Sequence, residues 1–494
     1  MPLELPSDAN LEFLKKQAKS LLRDFRERNP QALEKFDTLS LKSAPRLSDA
    51  QHLIAREYGF ANWPALKEKI DSLAVQDLVE LIKKAFHKDD AAEARRLLNL
   101  HPQLKSKIKE PIGGFDSPPI TQVRSRAMLD VLLDAGADIN AKSQWWAGGF
   151  GLLDNASPEL AAYAIERGAV VMVHSAARLG MLEKLQQLVS ANPELVHARG
   201  GDGQTPLHFA STIEVASYLL DHGAEIDARD VDHESTAAQY MLGERSEIVR
   251  YLITRGAKSD ILMATALGDT ALVRRHLDSD PESIRMRVSD EYFPKINPHS
   301  GGTTYQWKLG WHVSAPQIAR KFGHQEIFDL LMQRSPAGEK LLNYCWLGDE
   351  AEVKSLLKSN PNLASTLATT GRCQIAHAAR NNDTTAVRLM LLANLPVDAF
   401  SQHHAQPLHW AGFHGNAEMT KLLLARHPEI NNSDNEFRGT PLDWAIYGSE
   451  HSWHPGRADN AATVTVLLEA GAKLPERLSG SKAVRQILRR HGVK

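Results

Sequence analysis

QTPLHFA at residues 204–210 decides how the chain is read. Thr-Pro makes a turn, Pro sits where a helix can begin, and the run behind it closes on DHGAEIDARD at 221–230. A turn, two short helices and a Gly-Ala closure form a unit that cannot bury its own apolar face, so it must stack on a copy of itself. AQPLHWA at 405–411 and GTPLDWA at 439–445 are such copies. The chain is therefore expected to be a stacked helical array whose chemistry, if any, is displayed along its surface.

Four further segments share a coarser plan of helix, tight turn, helix, proline and an apolar residue. They are AFHKDDAAEARRLLNLHPQL, AARLGMLEKLQQLVSANPEL, TALGDTALVRRHLDSDPESI and YCWLGDEAEVKSLLKSNPNL. Pro102, Pro193, Pro281 and Pro361 each fall where the preceding helix cannot continue through them. Between these segments lie units ending in Gly-Ala (DAGADINA, ERGA, DHGAEIDA, TRGAK and EAGAK), where glycine permits the left-handed closure of a helix.

The head differs. Leu11, Leu14, Ala18, Leu21, Leu22 and Phe25 lie at helical spacing. RLSDAQHLIAREYGFANWPALKEKI at 46–70 reads as two helices, the first started by Ser48 and Asp49 and ended by Gly59, the second capped by Asn62. Glu12, Asp24 and Glu27 interleave with the basic residues of this head, which makes a solvated face rather than an anion-binding one. Residues 1–74 are expected to be a helical cap, 75–475 the repeat array, and 476–494 a closing helix whose cations favour its C-terminal end.

Composition fits a well-packed chain of 494 residues, 43% hydrophobic. The formal net charge of -2, from 58 basic and 60 acidic residues, argues against generic nucleic-acid binding. Cys345 and Cys373 make no disulfide framework and no metal-ligand spacing. The N-terminal stretch lacks an apolar signal segment and no stretch reaches membrane-spanning length, so a cytoplasmic location is expected.

QTPLHFA, QPLHWA and TPLDWA, each followed by a helix and a Gly-Ala closure, resemble ankyrin repeats. The head is similar to a small helical module found ahead of bacterial ankyrin-type domains. The resemblance covers most of the chain from about Asp77 and implies an all-α solenoid of helix-turn-helix repeats with short or extended β-hairpin fingers. It also implies a curved stack that binds through a concave face. The histidines of the T-P-L-H slot, His208 and His409, and the turn residue His414 are expected to be structural.

Function should then lie where the pattern breaks. The departures are 140–154, with Trp145 and Trp146 adjacent; 287–314, far longer than an ordinary finger; and the insertion 447–460. In the second, Tyr305-Gln306-Trp307 and Gly301-Gly302 suggest an extended β-hairpin. Trp145, Trp146, Tyr305, Trp307, Trp311, His312, Trp410, Trp444 and Trp453 are the candidate ligand-contacting residues, since large amphipathic side chains suit recognition hot spots and stacking platforms alike. Asp443, Glu450, His451 and His454 are the candidates for acid-base work, His409 and Asp443 being neighbours by repeat position. His403-His404 and His451/His454 are too generic to name a metal, and no phosphate loop or nucleophile elbow is present, so no metal or cofactor is expected. The preferred reading is a scaffold that holds a partner protein. The alternative is an enzyme or sugar-like-ligand receptor with an aromatic pocket carrying histidines and carboxylates.

Overall fold

The computed structural model describes residues 3, 10–39, 43–453, 456 and 458–494, and the backbone only of 72–75. The chain folds as two compact units, Met1–Pro206 and Leu207–Lys494.

The first unit opens with helices Leu11–Arg26, Pro30–Asp37 and Leu47–Glu57, followed by the long helix Trp63–His87. Leu14, Ala18, Leu21 and Leu22 pack with Phe36, Leu53, Ile54, Leu66 and Ile70 in a core of their own. Burying each such side chain contributes roughly 1.5–3 kcal/mol. Asn10 caps the first helix through Phe13 N (2.9 Å), and Asn62 caps the long one through Ala65 N (2.9 Å). The long helix runs through position 74, so the expected boundary between cap and array falls inside one continuous rod. No glycine or proline interrupts 71–77, so nothing forces the helix to break there.

The hairpins follow. Helices Ala91–Leu100, Leu182–Ala191, Thr270–Ser279 and Glu350–Ser359 each stop just before Pro102, Pro193, Pro281 or Pro361, as the proline rule requires. At the Gly-Ala closures the glycine backbone is left-handed, with φ of 95° at Gly223 and 99° at Gly471. In the QTPLHFA unit the first helix is a single turn, Pro206–Phe209, against seven residues in Pro407–Phe413.

In the second unit, Leu408, Trp410, Ala411, Leu442, Trp444, Ala445 and Val464 belong to one continuous core running to Val493. Pro407–Phe413 packs closely on Pro441–His451. A Cβ on Gly448 would sit 2.0 Å from the Phe413 carbonyl oxygen, and one on Gly412 would sit 2.5 Å from that of Pro441. Both glycines are needed for this approach, which brings Trp410 and Trp444 together. Helix Lys482–Arg490 closes the array by packing on Asn460–Glu469, with Val484 and Leu488 buried.

The fold is thus all-α, with the fingers held by single antiparallel bridges. The segment 287–314 departs from the expected hairpin. It begins as one, with the Arg287 to Ser314 bridge and backbone bonds Val288 N to Val313 O (3.1 Å) and His312 N to Val288 O (2.8 Å). Beyond that base, Tyr305–Lys308 is a helical turn and not a strand. The turn sends Tyr305 inward, where it is 0% exposed and donates to Asp260 Oδ2 (2.9 Å), while Trp307 stays 60% exposed. A strand would place both side chains on one face. The loop is tied to the finger at 230–235 by Ser300 Oγ to Asp232 O (2.5 Å), Thr304 N to Ser235 Oγ (3.0 Å) and Glu234 accepting from Ile296 N and Asn297 N (2.8 and 2.6 Å).

Candidate functional site

The T-P-L-H histidines serve the scaffold. His409 is fully buried, accepts from Gln406 N at Nδ1 (3.2 Å) and therefore donates from Nε2 to Asn432 O (3.0 Å) in the following finger. Burial holds its pKa down at about 4. His208 makes the same bond to Ser235 O (3.1 Å), and His174 makes it in the first unit to Ala198 O (3.0 Å). His414 bonds Arg380 O (2.7 Å). His174, His208 and His409 each pin the next finger to their own helix, while His414 ties its helix to the end of the preceding Gln374–Arg380.

The sequence candidates separate into distinct places. In the first unit, Trp145 lies edge-on to Phe115 (5.2 Å between centroids) and beside Trp146 (6.3 Å), on a finger tied by Ser143 N to Phe150 O (2.8 Å). In the second unit, Tyr305 plugs the long loop with Phe293 (5.2 Å), and Trp307 rests on His233 (4.7 Å). Asp443 caps its own helix, accepting from Thr440 N and Oγ1 (both 2.8 Å). Glu450 lies 3.9 Å from Arg485, and His451 stands edge-on to Tyr447 (4.2 Å). His454 lies outside the described residues. His403 and His404 turn to different partners, Glu436 Oε2 (2.8 Å) and Asp434 O (2.7 Å).

Trp410, Trp444 and Trp453 do converge. Trp410 is edge-on to Trp444 (5.0 Å) and tilted against Trp453 (5.7 Å), and Phe413 packs on both Trp444 (6.3 Å) and Trp453 (5.2 Å). Phe437 covers Trp444 (5.7 Å) while remaining 64% exposed, and Trp453 is 52% exposed. The inner rings are buried and the outer ones face solvent, a graded aromatic patch built from two successive repeats and the 447–460 insertion. That insertion lengthens the first helix of its hairpin to Pro441–His451 and returns through Asp459, which bonds Gly415 O (2.8 Å) and caps the next helix.

Sequence reasoning missed the centre of this arrangement, Arg380. Its guanidinium carbon lies 5.1 Å from the Trp453 ring centroid, 5.2 Å from Trp311 and 5.6 Å from Trp410. Three of the candidate platforms thus surround an internal cation. Burial lowers its pKa to about 10. Beside it, His377 stacks on His312 with centroids 3.3 Å apart and 20° between planes. Burial, reinforced by the charges of Arg380 and Arg287, holds His377 down at about 3, and burial likewise lowers His312. Both rings are neutral at pH 7. Nδ1 of each, and Nε1 of Trp311, are buried without a hydrogen-bond partner. Arg287 is neutralised by Glu339 (3.5 Å). A stretch such as HAARNN carries no aromatic or repeat anomaly; only its proximity to three tryptophans in space marks it.

A solenoid of paired short helices with histidine-pinned fingers defines the class of helical repeat proteins. Residues 173–278, 341–434 and 375–476 match the family model described as ankyrin repeats (3 copies), and the chain is an ankyrin-repeat protein. The ankyrin repeat and SAM domain-containing protein 6 of Rattus norvegicus is 27% identical over 134 residues, 26% of this chain and 15% of its own length. The Mus musculus protein of that name is 27% identical over 135 residues, with the same coverage. The chain therefore spans only a small part of these relatives. The crystal structure of human ASB11 ankyrin repeat domain aligns with 62% of this chain and 99% of its own at 16% identity, with a TM-score of 0.25. Among the described residues no helix is long and apolar enough to cross a membrane.

Proposed function

We propose that the chain is a non-enzymatic scaffold that holds a partner protein on the finger-bearing face of its second unit. The observation that carries this reading is the graded aromatic patch, in which Phe437, Tyr447 and Trp453 stay exposed over buried Trp410, Trp444 and Phe413. Well-anchored aromatic side chains at the centre of a patch are where protein recognition concentrates its free energy, and contiguous exposed apolar groups are otherwise kept small on soluble surfaces. Asp443 is engaged in capping, Glu450 faces Arg485 and His409 pins a finger. A photo-crosslinking phenylalanine analogue placed at 437 or 447 tests the reading in lysate of the native host. The same protein should be captured from both positions and not from Leu100, which is exposed in the first unit. Capture from neither position, or equal capture from Leu100, refutes it.

A further inference from the structure

Arg380 and Arg178 hold the same place in their repeats: each ends the first helix of a hairpin, in Gln374–Arg380 and Val173–Arg178, directly after an Ala-Ala pair. Arg178 spends its guanidinium on the scaffold, donating to Leu153 O (3.3 Å) and Ala156 O (2.6 Å). Arg245 does likewise with His208 O (3.2 Å) and Ala210 O (2.8 Å). Arg380 does not. Among the described residues it donates only from Nε, to Gln402 Oε1 (2.9 Å), and forms no ion pair. The carboxylate of Asp290, whose charge acts on Arg380, is joined to it through the Gln402 amide (3.4 Å). The guanidinium lies instead among three indoles, and among the described residues neither Nη has a hydrogen-bond partner, nor is either one of the buried unpartnered atoms.

We infer that Arg380 receives a carboxylate of the bound partner, with Trp311, Trp410 and Trp453 holding the guanidinium flat for a two-pronged hydrogen bond. This rests on the reading that the aromatic face binds a partner. An oriented guanidinium edge matches the geometry of a carboxylate. Among the described residues the local charge favours a monoanion over a dianion: Arg285 and Arg287 are paired with Glu282 and Glu339, the stacked histidines are neutral, and Asp290 already offsets part of the Arg380 charge. A dianionic phosphate would leave a negative charge uncompensated in a half-buried setting. The indoles around the half-buried guanidinium lower the local polarity, which strengthens a charge-assisted bond there.

The test uses the full chain labelled with 5-fluorotryptophan and read by fluorine NMR, with the Trp311 and Trp453 signals assigned by Trp→Phe variants. The probes are N-acetylglycine (a terminal carboxylate), N-acetylglutamate α-amide (a side-chain carboxylate), N-acetylglutamine amide (neutral) and inorganic phosphate. The expected result is a saturable shift of the Trp311 and Trp453 signals with one or both carboxylates, none with the neutral amide, and at least tenfold weaker binding in Arg380→Gln. The tighter carboxylate then identifies its source as a chain terminus or an acidic side chain. Arg380→Lys keeps the charge while losing the planar fork, so it should also weaken binding several-fold and serves if the glutamine variant fails to fold. Unmoved signals at 100 mM probe, equal shifts with the neutral amide, a preference for phosphate, or unchanged affinity in both Arg380 variants would overturn the inference. Crosslinking from position 437 in the Arg380→Gln background separates the two readings. Undiminished capture there, together with silent probes, leaves the aromatic face standing and removes the carboxylate. Loss of capture from 437 and 447 in the wild-type background removes the face itself.

Discussion

His312 and His377 lie face to face, ring centroids 3.3 Å apart, one on the base of the long loop and the other on a repeat helix. His312 sits in the left-handed region with φ of 60°, a conformation that costs a non-glycine residue free energy. The pair clamps the returning strand of the loop onto the helix that carries Arg380. Because two charged imidazoles cannot share that contact, the clamp depends on both rings staying neutral.

This gives a pH dependence of definite sign. The folded pKa of His377, about 3, is below the unfolded value of about 6.5, so the unfolded chain binds the extra proton. Stability is unaffected above 6.5 and falls as pH drops toward 3, by about 1.4 kcal/mol per pH unit for one such group. His312 and His409 shift in the same direction and add to the slope. Urea midpoints at pH 7.5 and 4.5 should differ less in His377→Phe, which keeps a flat ring, than in the wild type, by about 2–3 kcal/mol. An identical pH dependence would mean that the ring is not buried neutral.

The contrast between His409 and His451 separates scaffold from surface. His409→Ala leaves Asn432 O and Gln406 N without partners inside the core and opens a cavity, so it should cost about 2–4 kcal/mol in chemical denaturation. His451 is exposed beside Tyr447, and His451→Ala should stay within about 0.5 kcal/mol.

Tyr305→Phe isolates the anchor of the long loop. The hydroxyl bonds Asp260 Oδ2, a buried carboxylate whose other oxygen caps Ile261–Ala266 through Met263 N (2.8 Å). Removing the donor should destabilise by about 1–3 kcal/mol and speed protease cleavage within 288–313, followed by mass spectrometry. Unchanged cleavage would show that the backbone ties to 232–235 suffice alone.

The fold was legible because its signals are local. Pro193 and Pro281 end helices whatever surrounds them, and glycine at Gly223 or Gly471 permits a closure that other residues resist. Tyr305-Gln306-Trp307 misled because alternation over three residues fits a helical turn as well as a strand, and the buried bond to Asp260 decided between them. The site was half legible. Trp410, Trp444 and Trp453 are anomalies that the sequence displays, and the structure brings them together. Arg380 and His377 occupy ordinary repeat positions, and their character comes from Trp311 and His312, many residues upstream, which no periodicity could place beside them.

The aromatic patch depends on how closely two helices approach, which makes Gly448 its most sensitive scaffold position. A methyl group there would collide with the Phe413 carbonyl at 2.0 Å, a backbone atom that no side-chain rotation can clear. Gly448→Ala must therefore push Pro441–His451 away from Pro407–Phe413, at about 1–3 kcal/mol, and loosen the 5.0 Å Trp410–Trp444 contact. Partner capture from position 437 should drop together with stability. Phe437→Ala, by contrast, removes an exposed ring and should weaken capture from position 447 with stability held within about 1 kcal/mol. Equilibrium unfolding run beside crosslinking yield distinguishes the two variants. A Phe437→Ala protein that binds normally would place the recognition surface elsewhere on the array.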